Sequence, residues 1–201
     1  MRQSGQGRAA SRARQDAVVL RSVELTRTYL ALATPEQLRP ATRDAPSARF
    51  ALRAPCGVET YRRLYHDVGG QYFWHDRLRW SDAELAAYLA RPEITVWEAM
   101  VGDASAGYFE LACRNDGSVE VVYFGLTAAF IGRGLGGAML TRAVREAWAL
   151  GANRVWLHTC TLDSPHALPN YTARGFVPFK TERFVADIEG SLIVGERPLP
   201  A

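Results

Sequence analysis

The sequence predicts an α/β protein of the α+β kind, with a mostly antiparallel central sheet flanked by helices, and three observations lead there. Between Glu93 and Leu126 three strand-like runs follow one another with only Gly102-Asp103 and Asn115-Asp116-Gly117 between them, and turns that short join antiparallel neighbours. From Leu135 to Leu150 the apolar Leu140, Val144, Ala147 and Trp148 recur at helical spacing, while Thr141, Arg142, Arg145 and Glu146 fill the other face. A buried-type strand, a short helix and a last strand follow, each with its own stop signal.

In chain order, residues 1–20 read as a flexible basic N-terminal tail. Arg2, Arg8, Arg12 and Arg14 stand there among Ser, Gly, Gln and Ala without apolar periodicity. A single domain is expected over 21–186 and a C-terminal tail over 187–201. Val23 to Leu32 reads as a strand, Phe50 to Arg53 as a short extended piece, and Glu59 to Val68 as a helix ended by Gly69-Gly70. The loop from Gln71 to Trp80 carries Tyr72, Phe73, Trp74, His75 and Trp80, too aromatic a set for a plain solvent loop. Ser81-Asp82-Ala83-Glu84 is a capping box, and Trp80 and Leu85 stand where a hydrophobic staple places them. Glu93–Val101, Gly107–Arg114 and Ser118–Leu126 make an antiparallel meander. After the amphipathic helix, stopped by Gly151, come a strand over Arg154–Thr159, a helix over Pro165–Arg174 stopped by Gly175, and a strand over Phe176–Val185.

Composition narrows the function. A chain of 201 residues, 48% hydrophobic, buries a sizeable core, and no apolar run approaches the roughly 20 residues of a membrane span. Residues 1–16 lack the apolar centre of a secretory signal, so a soluble, cytoplasmic protein is expected, with no membrane partner. Cys56, Cys113 and Cys160 are odd in number, widely spaced and without a C-x-x-C pair. They read as buried thiols rather than a disulfide framework or zinc site, and no metal is expected. Net charge is +3 with Lys180 the only lysine, and the arginines alternate with acids instead of forming a stripe, so no nucleic-acid partner is expected.

The most informative segment is Ile131-Gly132-Arg133-Gly134-Leu135-Gly136-Gly137. It puts four glycines between a strand and a helix, where backbone N–H groups and the helix dipole make an anion cradle. Gly132, Gly134 and Gly137 also satisfy the G-x-G-x-x-G spacing of dinucleotide-binding folds. That reading needs the glycines to follow the first strand of a βαβ unit, with a carboxylate about 20 residues on. Here the preceding strand closes an antiparallel hairpin, and the region of Trp156, Leu157 and His158 offers no carboxylate.

Taken with its neighbours, the turn has a more specific resemblance. The strand Glu120-Val-Val-Tyr-Phe-Gly-Leu126, the glycine turn, the helix, a strand and then Asn170-Tyr171-Thr-Ala-Arg-Gly175-Phe176 resemble the GNAT superfamily of N-acetyltransferases over about residues 94–185. The resemblance implies a GNAT-like mixed, mostly antiparallel sheet and acetyl-CoA as co-substrate. It also implies direct transfer of an acetyl group to the amine of a small molecule or peptide, in a ternary complex. A non-catalytic acyl-CoA sensor on the same fold is the alternative, and a homodimer is compatible with either.

The same resemblance assigns roles. The turn, Ile131, Gly132, Arg133, Gly134, Leu135, Gly136 and Gly137, would bind the pyrophosphate through its amides. Ile131 departs from the family's Gln or Arg at the first position, and Arg133 either contacts phosphate or is an exposed arginine. Gly125 and Leu126 match the strand end that pairs with the pantetheine arm, and Asn170 lies beside Tyr171, the match to the tyrosine that protonates the CoA thiolate. Ser164 stands where relatives carry a CoA-contacting asparagine, and helix capping is its other role. Glu120 matches the general base, with Glu110 as its rival. Trp74, His75, Trp80 and Tyr123 fall where relatives build the acceptor pocket, an aromatic lining suited to an apolar or cationic amine. His158 and His166 show no recurring metal-ligand pattern and read as polar residues at the cleft rim.

Strand register decides whether the two glutamates cooperate. A three-residue turn with Arg114 opposite Ser118 sets Glu110 against Val122, with both carboxylates on one face. A two-residue turn sets Glu110 against Tyr123, with the carboxylates on opposite faces.

Overall fold

The computed structural model describes residues 20–42 and 48–189. The expected tail over 1–20 lies almost wholly outside the described residues, as does the C-terminal tail beyond Glu189. Seven strands and four α-helices run in the order β1 (Leu20–Leu32), β2 (Ala48–Arg53), α1 (Val58–Gly69), α2 (Asp82–Leu89), β3 (Ile94–Val101), β4 (Ala104–Cys113), β5 (Val119–Leu126), α3 (Leu135–Ala149), β6 (Val155–Cys160), α4 (Ala167–Ala173) and β7 (Val177–Glu189). The last strand therefore runs beyond Val185 into the segment read as tail. No helix of the described residues is long and apolar enough to cross a membrane.

One sheet takes all seven strands in the order β2-β3-β4-β5-β6-β1-β7. Every neighbouring pair is antiparallel except β5 and β6. The mixed, mostly antiparallel sheet is the expected one. The place of β1 is not local to the sequence: it is threaded between β6 and β7, with Arg27 opposite Cys160 on one side and Glu182 on the other.

Two apolar layers hold the sheet. On one face α3 and α4 pack Leu135, Met139, Leu140, Val144 and Tyr171 against Leu30, Phe109, Val121 and Leu157. On the other, α1 and α2 pack Tyr61, Leu64, Tyr65, Val68 and Leu85 against Val96 and Tyr108. The entry to α2 follows its sequence signal: the Ser81 hydroxyl accepts from the Glu84 N–H, and the Glu84 carboxylate accepts from the Ser81 N–H at 2.7 Å. Such a box satisfies two backbone donors that a helix start leaves open. Trp80 packs on the same cluster as Leu85.

The β4–β5 hairpin resolves the register question in a third way. The Arg114 N–H donates to the Ser118 carbonyl at 2.8 Å, so the turn has three residues, and Leu111 pairs with Val121. A bulge at Val122 then shifts the register, and Glu110 pairs with Tyr123. The extra residue in β5 reverses its alternation: Val119, Val121, Phe124 and Leu126 point to the α3 layer, while Glu120, Tyr123 and Gly125 share the α1 face with Glu110.

Candidate active site

The cradle is built as its glycines require. After β5 a short turn over Ala128–Phe130 leads into Ile131–Gly134, and Gly132 and Gly134 have φ of +79° and +81°, a left-handed conformation that a side chain disfavours. Gly134 sits at the N-cap of the 15-residue α3, so the helix's open N–H groups face the turn. Ile131, Gly132 and Gly136 line a cavity of about 590 Å³. Gly137 does not line it: a Cβ there would lie 2.5 Å from Nη1 of Arg174 and 3.2 Å from Cβ of Ala41. The space beside it is taken by the far end of the Arg174 side chain. Leu135 is buried in the core, and the Arg133 guanidinium lies 5.3 Å from the centre of the Phe130 ring.

The same cavity continues between β5 and β6. These strands pair only at Val119–Val155 and Glu120–Trp156, and beyond that rung Val122, Gly125, Leu126 and His158 line the space. Tyr171, Asn170, Ser164 and His166 line it from the α4 side, and Trp74 and Tyr123 from the α1 side. The Ser164 hydroxyl also accepts from the His166 N–H at 3.3 Å, a local turn contact in place of the helix cap expected as its other role, since His166 is the N-cap of α4. Tyr171 is 6% exposed and packs edge-on against Phe124 and Phe176. Burial, and then the charge of Asp163, pushes its phenol far above the ordinary range, so the proton is kept.

Trp74 reaches the cavity because Gly69 has no side chain. A Cβ at Gly69 would overlap the Trp74 ring, which instead lies 4.9 Å from the Tyr123 ring and 5.7 Å from the Tyr65 ring. Phe73, which also lines the cavity, holds a left-handed φ of 59°. Two residues expected in the acceptor pocket are elsewhere. His75 is not in the lining, and Trp80 packs against Tyr88 and under the Arg77 guanidinium, 4.0 Å from its ring centre.

Neither glutamate lines the cavity. Glu110 is fully buried, and the Tyr61 hydroxyl donates to one of its oxygens at 2.5 Å, the Tyr88 hydroxyl to the other. Arg77 stands 3.9 Å away. Burial raises the Glu110 carboxyl more than these partners lower it. Its contacts tie α1, α2 and the aromatic loop to β4, a structural place rather than the rival base expected of it.

Glu120 is 4% exposed. Arg114 donates to its Oε2 from Nε at 2.9 Å and also from Nη2, while Nδ1 of His158 lies 3.5 Å from Oε1. Burial pushes this carboxyl up, but His158 and Arg114 together bring it below the ordinary range, so it stays ionised.

Several lining residues were not singled out in the sequence. Arg27, over the Phe184 ring at 4.6 Å, reaches the cavity through the placement of β1, which no local signal records. Cys160 lines it as well. Only Cys56 is the buried thiol expected of all three cysteines, since Cys113 and Cys160 are half-buried.

A model of the acetyltransferase (GNAT) family matches residues 59–176, more than half of the chain. The chain belongs to the GNAT family. The matched span runs from α1 to the residue before β7, without β1. Among solved structures, the GNAT chain resembles a GCN5-related N-acetyltransferase from Kribbella flavida, at 19% identity and a TM-score of 0.59. That match covers 85% of this chain and 62% of the other. It also resembles one from Sphaerobacter thermophilus at 16% identity and a TM-score of 0.58, covering 85% and 53%. An aminoglycoside acetyltransferase from an uncultured soil metagenomic sample matches at 12% identity and a TM-score of 0.54, covering 63% and 86%. The chain thus spans less than two thirds of the first two structures, and likenesses this distant show the fold alone. No curated protein matches.

Proposed function

We propose that the protein transfers the acetyl group of acetyl-CoA to a primary amine of a small molecule or peptide, directly and within a ternary complex. The observation that carries this reading is the continuity of one cavity from the glycine turn, through the parting of β5 and β6, to Tyr171. The residues present suit acetyl-CoA. At Gly136, facing the cavity, a Cβ would find its nearest side-chain atoms only at 3.8 Å, and the turn before it carries two left-handed glycines at a helix N-terminus. The turn would hold the pyrophosphate, with Arg133 beside it, and Gly125, Leu126, Ser164 and Asn170 would border the pantetheine arm. Bound acetyl-CoA supplies an acetyl group activated as a thioester. Tyr171, a buried phenol that keeps its proton, suits the donor to the departing thiolate.

One observation favours the non-catalytic sensor: neither Glu110 nor Glu120 reaches the cavity wall. Calorimetry with acetyl-CoA, combined with thiol release across a panel of amines, separates the two readings. Micromolar binding with thiol release on at least one amine is expected. Binding without release on any of them assigns the fold to sensing, and no binding of acetyl-CoA overturns both.

A further inference from the structure

Acetyl transfer to an amine requires a group that takes a proton from the incoming ammonium, and the glutamate in the family's position is walled off from the cavity. The side chain that faces the cavity at that point is His158. It stands on β6 two residues past Trp156, the last residue paired with β5, on the same face as Glu120 and Trp156. Its Nδ1 is buried without a hydrogen-bond partner among the described residues, and Oε1 of Glu120 stands 3.5 Å from it, at the edge of hydrogen-bond reach. The carboxylate's other oxygen is held by Arg114, which fixes the plane of the group. The Tyr29 ring lies 5.6 Å from the imidazole on the β1 side.

We propose that His158 is the proton acceptor of the transfer and that Glu120 is its positioning residue, acting through Nδ1. The proposal rests on the acetyltransfer reading. Glu120 holds the Nδ1–H tautomer, because the hydrogen bond made by one ring nitrogen decides which nitrogen carries the proton. Nε2 is then left with its lone pair toward the cavity. One proton passes from the ammonium to Nε2 and on to solvent, leaving a neutral amine. The amine lone pair forms the C–N bond to the acetyl carbon as the C–S bond breaks. The thiolate takes the Tyr171 phenol proton, and the surplus proton on the new amide nitrogen restores the phenol. Net, an ammonium and a thioester give an amide, a thiol and one released proton.

This division of labour accounts for features that a direct glutamate base leaves unexplained. An ionised carboxylate sharing an arginine is a poor acceptor of a proton from an ammonium. As the anion behind an imidazole it has no need to exchange protons, and Arg114 supplies the opposing charge that its burial calls for. The groups facing His158 are Glu120, with Arg114 behind it, from the β4–β5 hairpin, and Tyr29 from β1. The Tyr29 hydroxyl donates to Glu182 of β7 at 2.8 Å, and Lys180 lies 5.1 Å from its ring centre.

The test combines a structural and a kinetic arm on the full chain. Nitrogen-15 NMR of the four histidines, with His158 assigned by its loss in His158→Gln, is read at alkaline pH without ligand. The expected spectrum has Nδ1 protonated and Nε2 bare, and Glu120→Gln abolishes that preference while Glu120→Asp retains part of it. An Nε2–H tautomer in the native protein overturns the orienting role of Glu120. On whichever amine of the panel the native protein acetylates, His158→Gln should lower kcat about 100-fold with KM for acetyl-CoA unchanged. Native turnover in His158→Gln overturns the relay while acetyl transfer stands. Failure of every amine with the native protein overturns acetyl transfer itself and the relay's catalytic part with it.

Discussion

Replacing Gly125 with alanine tests how β5 is seated against α1. A Cβ at this position would fall well inside 3.0 Å of Cγ1 of Val68, with the Trp74 ring at 3.8 Å. Ordinary contact begins at 3.4 Å, so one side must retreat by more than 0.4 Å (3.4 − 3.0). Val68 is fully buried, and a helical valine has essentially one rotamer, so the retreat falls on α1 as a body. Overpacking of this kind costs about 1–3 kcal/mol. In a domain of this size each kcal/mol moves Tm by about 2–4 °C, so a cost near 2 kcal/mol lowers Tm by about 6 °C. Val68→Ala alone costs a similar amount through its lost methyl groups and the void left behind. The two changes together should be less harmful than their sum, by about 1–2 kcal/mol, because the new methyl enters the vacated space. Denaturant unfolding of the four proteins in the cycle measures the coupling. Strict additivity, or a native Tm in Gly125→Ala, refutes the packing described. Gly137→Ala is the control. Its nearest atom, at 2.5 Å, is the far end of the Arg174 side chain, which can swing aside, while alanine gains up to about 1 kcal/mol over glycine inside a helix. That variant should stay within about 1 kcal/mol of the native protein.

Three further outcomes are expected. Tyr171→Phe should lower turnover about 100-fold while calorimetry shows acetyl-CoA binding within twofold of native, and unchanged turnover removes Tyr171 from the chemistry. Gly134→Ala, at a φ of +81°, should cost about 1–2 kcal/mol in unfolding and weaken acetyl-CoA binding at least tenfold, since the strained turn turns its amides away. Glu110→Gln probes the buried carboxyl, whose folded value is raised by burial. A raised carboxyl favours folding below its unfolded value of about 4 and loses that contribution as pH rises through the folded value. The variant's Tm relative to the native protein should therefore climb as pH increases from about 4. A pH-independent difference means that Glu110 is fully charged throughout.

What the sequence disclosed was what is local to it. The capping box at Ser81 and the left-handed glycines before α3 each depend on a few adjacent residues, and each can be read there, whereas the length of the turn after Arg114 was open until the Arg114–Ser118 hydrogen bond fixed it. The position of β1 depends on pairings such as Arg27 with Cys160, across more than a hundred residues, so Arg27 and Phe184 carried no sign of a place in the cavity. Gly69 shows the intermediate case: its pair of glycines reads as a helix stop, yet the structure gives it the further task of admitting the Trp74 ring. For the glutamates, residue type pointed to proton chemistry, but the cross-strand partner of Glu110, Tyr123 in place of Val122, was set by one inserted residue. Glu120-Val-Val-Tyr offers no glycine or proline to mark Val122 as the bulge.

That bulge also explains why the chemistry gathers where it does. A parallel pair needs evenly spaced hydrogen bonds along both strands, and the residue inserted at Val122 breaks the spacing of β5 just past the Glu120–Trp156 rung. Beyond it β6 cannot follow, and the two strands part. The opening leaves backbone and side chains of both strands to line the cavity, with Gly125 and Leu126 on one side and Leu157 and His158 on the other. Glu120 belongs to the last paired rung, where the sheet is still rigid, and His158 to the opening next to it. A carboxylate fixed by Arg114 on the closed side can thus orient an imidazole on the open side without entering the cavity. Deleting Val122 should accordingly restore regular pairing and close the gap. With regular alternation Tyr123 and Gly125 would keep their places on the α1 face, opposite Glu110 and Tyr108, so the expected loss of acetyl-CoA binding would come from the closed gap alone.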